Sequence, residues 1–411
     1  MRRIILNVVK LIFVKPLNLV ITLSITRFLL SRMSDIEYAD YKSALSLILI
    51  FFSIDFGIPS RSRNQFIQDK GPNLKLQINQ SIAVSFILGI LLVFIVVIYS
   101  LFFIKNGTSL YYYSIIIFLP LVVAFRNISS YNFIRHKPHH NTLINTFQLT
   151  ILLTTSYIFI DFLHFYDPKD LVAATLISFG MSGLAAYFIY IYNKNSHIIT
   201  LKNISRSLIK DRIDLGFQFS QLTYVVYANI LFLGLDYYQP IGYATSVVYI
   251  EYFMISFMLF MAIVTPLWSE LTEDFLRTKY IRSKWWVILG SIVLLGGASL
   301  SCQYLLGDKL FFYYSERSWR IGPQEIILSS LFYVFSLIAL VGVIQYLNAV
   351  SIRWIQVVQQ FTGTLLFLGV LWLTSSLVGA LITMVIWNIL SVVCAIVWLY
   401  YMHRRYEESI L

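Results

Sequence analysis

The sequence predicts an all-α polytopic membrane protein, with twelve transmembrane helices in two six-helix lobes and both termini cytoplasmic. Three observations predict it. The chain is 58% hydrophobic and only 12% charged, whereas soluble domains carry about 25% charged residues. Twelve apolar stretches follow one another along its 411 residues, each about as long as the roughly 20 residues a helix needs to cross some 30 Å of hydrocarbon. The basic residues between those stretches alternate in density from one junction to the next, which orients the helices.

The first span, near 11–31, carries Lys15–Pro16 early, where a helix tolerates proline. No small-residue cleavage site closes this apolar part, so it reads as a retained span and not as a removed signal. Spans two to six lie near 42–60, 81–104, 110–133, 142–160 and 171–192. Spans seven to ten lie near 213–235, 241–268, 285–305 and 326–349. Residues 354–402 contain no Asp, Glu, Lys or Arg. A single helix of that length would extend about 74 Å at 1.5 Å per residue, so the stretch reads as a hairpin of spans 354–374 and 377–402, turning at Ser375, Ser376 and Gly379.

One set of junctions holds Arg2, Arg3, Lys10 and Lys15; Arg61, Arg63, Lys70 and Lys75; Arg135 and Lys137; Lys194, Lys202, Arg206, Lys210 and Arg212; Arg277, Lys279, Arg282 and Lys284; Arg353; and Arg404 and Arg405. The other set holds only Arg32, Lys42, Lys105, Lys169, Lys309, Arg317 and Arg320. Basic residues stay on the cytoplasmic side, which places both termini there. The net charge of +11 is thus mostly loop charge facing anionic lipid headgroups and not a nucleic-acid surface. Cys302 and Cys394 both fall within spans, so no disulfide framework is expected.

The longest cytoplasmic connection, 193–212, divides the chain into an N-terminal lobe, 1–192, and a C-terminal lobe, 213–411. Tyr238-Gln239-Pro240-Ile241-Gly242-Tyr243 at the start of span eight echoes Glu37-Tyr38-Ala39-Asp40-Tyr41 at the start of span two, close to half the chain earlier. Such a repeat favours two parallel lobes related by an axis along the membrane normal, with the transport path between them.

Four ionisable residues lie furthest from the expected interfaces: Arg27, Asp55, Arg126 and Glu251. A charge at the bilayer centre costs about 2.5–3.5 kcal/mol or more and marks a cavity or a partner. Arg126, nine residues before Arg135, is about 14 Å deep. Glu251 is similarly deep, Arg27 reaches the outer headgroups, and Asp55 is near enough to Arg61 to pair with it. Each has two readings, a transport role or a structural ion pair. Polar stripes add Gln218, Gln221 and Asn229 in span seven, Gln356, Gln360 and Gly363 in span eleven, and Asn18, Thr22 and Thr26 in span one. Asn127 stands beside Arg126. These amides and hydroxyls serve equally to bond helices together, at about 0.6 kcal/mol each, or to line a hydrophilic cavity where an arginine suits an anion. The substrate-binding candidates are therefore Arg27, Arg126, Asn127, Gln218, Gln221, Gln356 and Gln360, and the ion-coupling candidates are Glu251 and Asp55.

Other chemistry is scarce. No phosphate-binding loop of the GxxxxGK[ST] type occurs, which excludes an ATP-driven motor in this chain. No HExxH or paired CxxC is present. His136-Lys137-Pro138-His139-His140 is a short cytoplasmic turn broken by proline, and no metal or cofactor is expected. Asp161, Asp167 and Asp170 read as a solvated external loop.

Phe28-Leu29-Leu30-Ser31-Arg32, Glu37-Tyr38-Ala39-Asp40-Tyr41 and Ile54-Asp55-Phe56-Gly57-Ile58 resemble the opening of the polysaccharide-exporter, or O-antigen flippase, family. Ile241-Gly242-Tyr243-Ala244-Thr245 and Thr265-Pro266-Leu267-Trp268-Ser269 resemble its eighth span. That family belongs to the multidrug/oligosaccharidyl-lipid/polysaccharide exporter (MOP) superfamily. The resemblance implies two six-helix lobes and, as cargo, an undecaprenyl-diphosphate-linked oligosaccharide moved by alternating access across a bacterial inner membrane. It also implies a cavity-facing role for Arg27, which matches an arginine in the first helix of lipid II flippases. Where span seven sometimes holds an aspartate in the family, this chain has Asn229.

The expected function is thus a flippase for a polyprenyl-diphosphate-linked oligosaccharide, partnered by membrane lipids and other polysaccharide-assembly membrane proteins, without nucleic acid. The alternative is a cation-coupled small-molecule exporter of the multidrug and toxin extrusion branch. A polymerase or ligase would need a large external catalytic loop, and the longest external junction, near 306–325, does not supply one. The sugar, the coupling ion and the oligomeric state are not encoded legibly. Cysteines placed at 106 and 167 are expected to react with an impermeant thiol reagent added outside, and those at 70, 205 and 280 are not. Labelling at 205 from outside would overturn the six-plus-six topology.

Overall fold

The computed structural model describes residues 2–55, 57–59, 74–103, 109–134, 138–165, 167–190, 215–238, 242–258, 260, 282–318, 324–349 and 354–410. The basic connector at 193–212, the segment 265–269, Arg61 and His136–Lys137 lie outside them. Among the described residues the fold is all-α, and it is that of a polytopic membrane protein. The helices are α1 (Arg2–Arg32), α2 (Asp35–Phe52), α3 (Leu74–Phe103), α4 (Ser109–Ile134), α5 (Pro138–Tyr157), α6 (Pro168–Tyr190), α7 (Leu215–Tyr238), α8 (243–258), α9 (Arg282–Ser315), α10 (Gln324–Ala349), α11 (Trp354–Thr374) and α12 (Leu377–Ile410). Each coincides with one apolar stretch of the sequence. Six described segments are long and apolar enough to cross a bilayer: Ile78–Ile98, His140–Phe162, Pro168–Ile189, Gln324–Ile344, Trp354–Thr374 and Leu377–Trp398.

Helix ends follow local chemistry. Ser34 caps α2: its hydroxyl accepts the Glu37 N–H, and the Glu37 carboxylate accepts the Ser34 N–H at 2.7 Å. This reciprocal box starts α2 seven residues before the apolar stretch, at the signature Ser-x-x-Glu. Ser53 ends the helix, so Ile54 and Asp55 lie in the following turn and not inside the second helix as expected from hydropathy. Gly57 takes φ +69°, a conformation that favours glycine, and its N–H donates to Asp55 Oδ1 at 3.0 Å. The hairpin turn expected in the last uncharged run falls at Ser375 and Ser376, with Gly379 N–H donating to Ser376 Oγ at 3.2 Å.

Two further expectations are corrected. Residues 306–315 are helical, a continuation of α9, because Phe311 and Tyr314 are buried in an aromatic cluster with Tyr249 and Tyr252 of α8. The external acids are not all a solvated surface. Asp161, in a π-helical turn after α5 (Ile158–Phe162), pairs with Arg32 at 3.4 Å, and Asp170 is buried.

The chain forms two compact units, Met1–Val225 and Val226–Leu411. In the first, α3 packs on α4, α4 on α6, α6 on α5 and α2, and α5 on α1. Small residues allow these approaches, as in other membrane helix pairs. A Cβ on Gly89 would meet Pro120 Cα of α4 at 2.8 Å, and one on Gly180 would meet the Phe118 ring at 2.0 Å. Asn18 of α1 donates to Thr142 O at 3.4 Å and accepts from Thr146 Oγ1 of α5, so the polar stripe of α1 bonds helix to helix. In the second unit, α12 packs on α10 and α11, and α10 on α9. There Tyr227 donates to Asn388 Oδ1, and Asn388 Nδ2 donates to Ser336 Oγ at 2.9 Å.

Gly89→Leu is expected to destabilise the protein by about 1–3 kcal/mol, because the helix backbones themselves must separate. Gly369→Ala, where an added methyl meets nothing within 4 Å, is expected to be neutral or to stabilise by about 0.5–1 kcal/mol. Thermal unfolding in detergent checks both; equal losses would refute the packing at Gly89.

Candidate functional site

Three elements of the first unit converge on one carboxylate. The turn after α2 delivers Asp55, whose side chain is 1% exposed. α4 delivers Arg126, with Nη1 3.1 Å from Asp55 Oδ2 and the side chain 36% exposed. The first turns of α7 deliver Gln221, whose Nε2 donates to Asp55 Oδ2 at 3.2 Å. One turn earlier, Gln218 donates to Ser53 O at 3.2 Å. Gln218 and Gln221 stand three residues apart, so they share a helix face, and that face grips both the end of α2 and the acid beyond it. The first compact unit runs to Val225, within α7.

Sequence proximity pointed Asp55 toward Arg61; the structure pairs it with Arg126, 71 positions along the chain. Opposite charges about 4 Å apart attract by about 4 kcal/mol at an effective dielectric of about 20. Near the membrane interior, an acid this buried stays ionised only with such a partner and further donors. Asp55 has both: the Gly57 N–H fills Oδ1, and Arg126 and Gln221 share Oδ2.

The other candidates are dispersed. Asn127 is turned about 100° from Arg126 on α4 and donates to Ser85 Oγ of α3 at 2.9 Å, buried between the two helices. Arg27 is half-buried on α1, and Glu251 is half-buried on α8 in the second unit. Gln356 and Gln360 are buried on one face of α11, Gln356 Nε2 lying 3.4 Å from Gln360 Oε1. Sequence reasoning missed Gln359 on the same face, whose carbonyl accepts the Trp387 indole N–H at 2.8 Å. It also missed the Tyr227–Asn388–Ser336 chain. Asn388, the one amide side chain in span twelve, was the available signal. Among the described residues no group of His, Cys, Asp and Glu is arranged to hold a metal ion.

No family profile matches the chain, and no curated protein matches it. Its fold does match solved structures. An outward-facing multidrug resistance MATE family transporter of the MOP superfamily superposes with TM-score 0.71 at 14% identity, over 96% of this chain and 94% of that one. A MOP superfamily transporter from Pyrococcus furiosus Vc1 (DSM3638), described as having a binding pocket of reversed polarity that suggests a different function, gives 0.69 at 14% over the same shares. A mutant of the Vibrio cholerae MATE transporter VcmN gives 0.70 at 14%, over 98% and 96%. The chain therefore has the fold of these solved structures.

The likeness overturns two expectations. The chain is not supported as an O-antigen flippase, and a polyprenyl-linked oligosaccharide with polysaccharide-assembly partners is not supported as its company, because the neighbours are multidrug MATE transporters. The resemblance rested on short runs such as Glu37–Tyr41 and Ile54–Ile58. In the structure Glu37 is the capping-box partner of Ser34, residues 37–41 continue α2, and Ile54 and Asp55 lie in the turn that follows it.

Arg126→Ala is expected to destabilise the protein by about 3 kcal/mol, the low end for a broken buried pair because Arg126 keeps contact with solvent. The neutral pair Asp55→Asn with Arg126→Gln is expected to recover most of that loss. Melting of the purified variants checks this; equal instability of single and double variants would remove the pair's structural role.

Proposed function

We propose that this chain is a cation-coupled small-molecule exporter of the multidrug and toxin extrusion type, a multi-pass protein of a bacterial cytoplasmic membrane. Its twelve helices form two six-helix lobes with cytoplasmic termini, and alternating access between the lobes moves the cargo. The observation that carries this reading is the superposition on MATE family transporters over nearly the whole of both chains. In this reading Asp55 is the coupling carboxylate of the first unit. Its charge is balanced by Arg126, so a change in its occupancy by a cation is felt directly by α2, α4 and α7. Glu251 on α8 is the second coupling candidate, and Arg27, Arg126 and the α7 and α11 glutamines are the polar groups offered to cargo. The Pyrococcus furiosus transporter of this fold is described as having a binding pocket of reversed polarity that suggests a different function.

Purified protein in liposomes, under an imposed proton or sodium gradient, is expected to drive a fluorescent dye from a panel of cationic, neutral and anionic dyes against its concentration. Asp55→Asn, near in shape and always neutral, is expected to retain downhill dye exchange and to lose at least about tenfold of gradient-driven accumulation, a factor of ten being about 1.4 kcal/mol of coupling. A panel with no gradient-driven movement would refute the exporter reading. Full gradient dependence in Asp55→Asn would remove Asp55 from coupling.

A further inference from the structure

We infer that Asp55 is the resident counterion of Arg126, and that an anionic group on the cargo, a carboxylate, sulfonate or phosphate, takes its place. The inference rests on the exporter reading and names its substrate class. Three observations point to it. First, exposure across the pair is unequal: the Arg126 side chain is 36% exposed and that of Asp55 1%. A ligand arriving from the exposed side of the pair therefore meets the cation first. An anionic cargo group is attracted to that guanidinium, while the carboxylate behind it is held by three donors.

Second, Asp55 is built to survive the exchange. When Arg126 turns to a ligand, the Gly57 N–H at 3.0 Å and the Gln221 amide at 3.2 Å still hold the acid. Third, the neighbouring Gln218 is 7% exposed and fixed through Nε2 to Ser53 O, yet its Oε1 has no hydrogen-bond partner among the described residues. A buried acceptor left unmet costs about 1–3 kcal/mol. It offers a place for an N–H, either from a reoriented guanidinium or from cargo. A guanidinium also suits oxyanions better than an ammonium does, because its planar fork matches two oxygens at once. Asp55 thus acts as a built-in competitor that sets how tightly the anion is held.

The test uses the full chain in nanodiscs of zwitterionic lipid, titrated with benzenesulfonate and separately with inorganic phosphate, and read by calorimetry. Saturable binding is expected in the natural protein. Asp55→Asn removes the competitor and is expected to tighten binding about tenfold, in line with a charge-assisted contact of roughly 1.4 kcal/mol. Arg126→Gln in the Asp55→Asn background, which leaves no buried charge and so keeps the fold, is expected to abolish binding. Unchanged or weaker binding in a stably folded Asp55→Asn protein would overturn the inference, as would binding retained in the neutral double variant. Replacing the zwitterionic lipid with phosphatidylglycerol separates two sources of the anion. Loss of benzenesulfonate binding by competition identifies a lipid headgroup in the site, and no effect identifies a soluble anion. Dye export in liposomes without any anion binding would leave the exporter reading standing and sink this one alone.

Discussion

A carboxylate taken out of water must be met by the protein itself, and in the first unit that requirement lands on Asp55. The side chain is 1% exposed, and its three donors come from its own turn, from α4 and from α7. Once the carboxylate is ionised, these elements are no longer independent. α4 must present Arg126 at one height, and α7 must present Gln221 and Gln218 on one face. The turn after α2 must also take the left-handed step at Gly57. A pair of this kind adds little net stability compared with apolar packing, yet breaking it is costly. Its effect is to specify geometry.

The remaining polar residues follow the same constraint in a weaker form. Neutral amides and hydroxyls are bonded across helices wherever two spans approach closely, as Asn18 is to α5, Asn127 to α3 and Asn388 to α10. The outward faces are apolar: Phe94 and Ile95 on α3, Val358, Phe361 and Leu365 on α11, and Ile386 and Ile389 on α12 are all exposed, as suits residues solvated by lipid. α11 shows the division within one helix. Trp354, Val358, Phe361, Leu365 and Trp372 face out, and Gln356, Gln359 and Gln360 are buried beside Phe367 and Leu371. Small residues complete the arrangement, with Gly89 admitting Pro120 and Gly363 admitting the Tyr227 and Trp387 rings.

Cargo class followed a different course. The runs that resembled the O-antigen flippases include Glu37–Tyr41, in the opening turns of α2, and Ile54–Ile58, which holds the Asp55–Gly57 turn. Short motifs of that kind report the backbone. The fold itself aligns with MATE transporters across nearly the whole chain, and the charge balance around Arg126 then bears on which ligands that fold admits.

What the sequence determined by itself was the one-dimensional part: helical segments in order, each on one apolar stretch, and the turn at Ser375–Ser376. These depend on transfer of each segment from water to hydrocarbon, which is additive along the chain. The capping box of α2 is likewise a local feature, since Ser34 and Glu37 are three residues apart. Tertiary structure alone decided the rest. It carried α9 on to Ser315 through the contact of Phe311 and Tyr314 with α8, paired Asp161 with Arg32, and turned Asn127 away from Arg126. Above all it joined Asp55 to Arg126 and to Gln221, which lies 166 positions away from it. Hydropathy places a charge at a depth, but the partner at that depth is chosen by helix packing, which depends on side chains from distant segments at once.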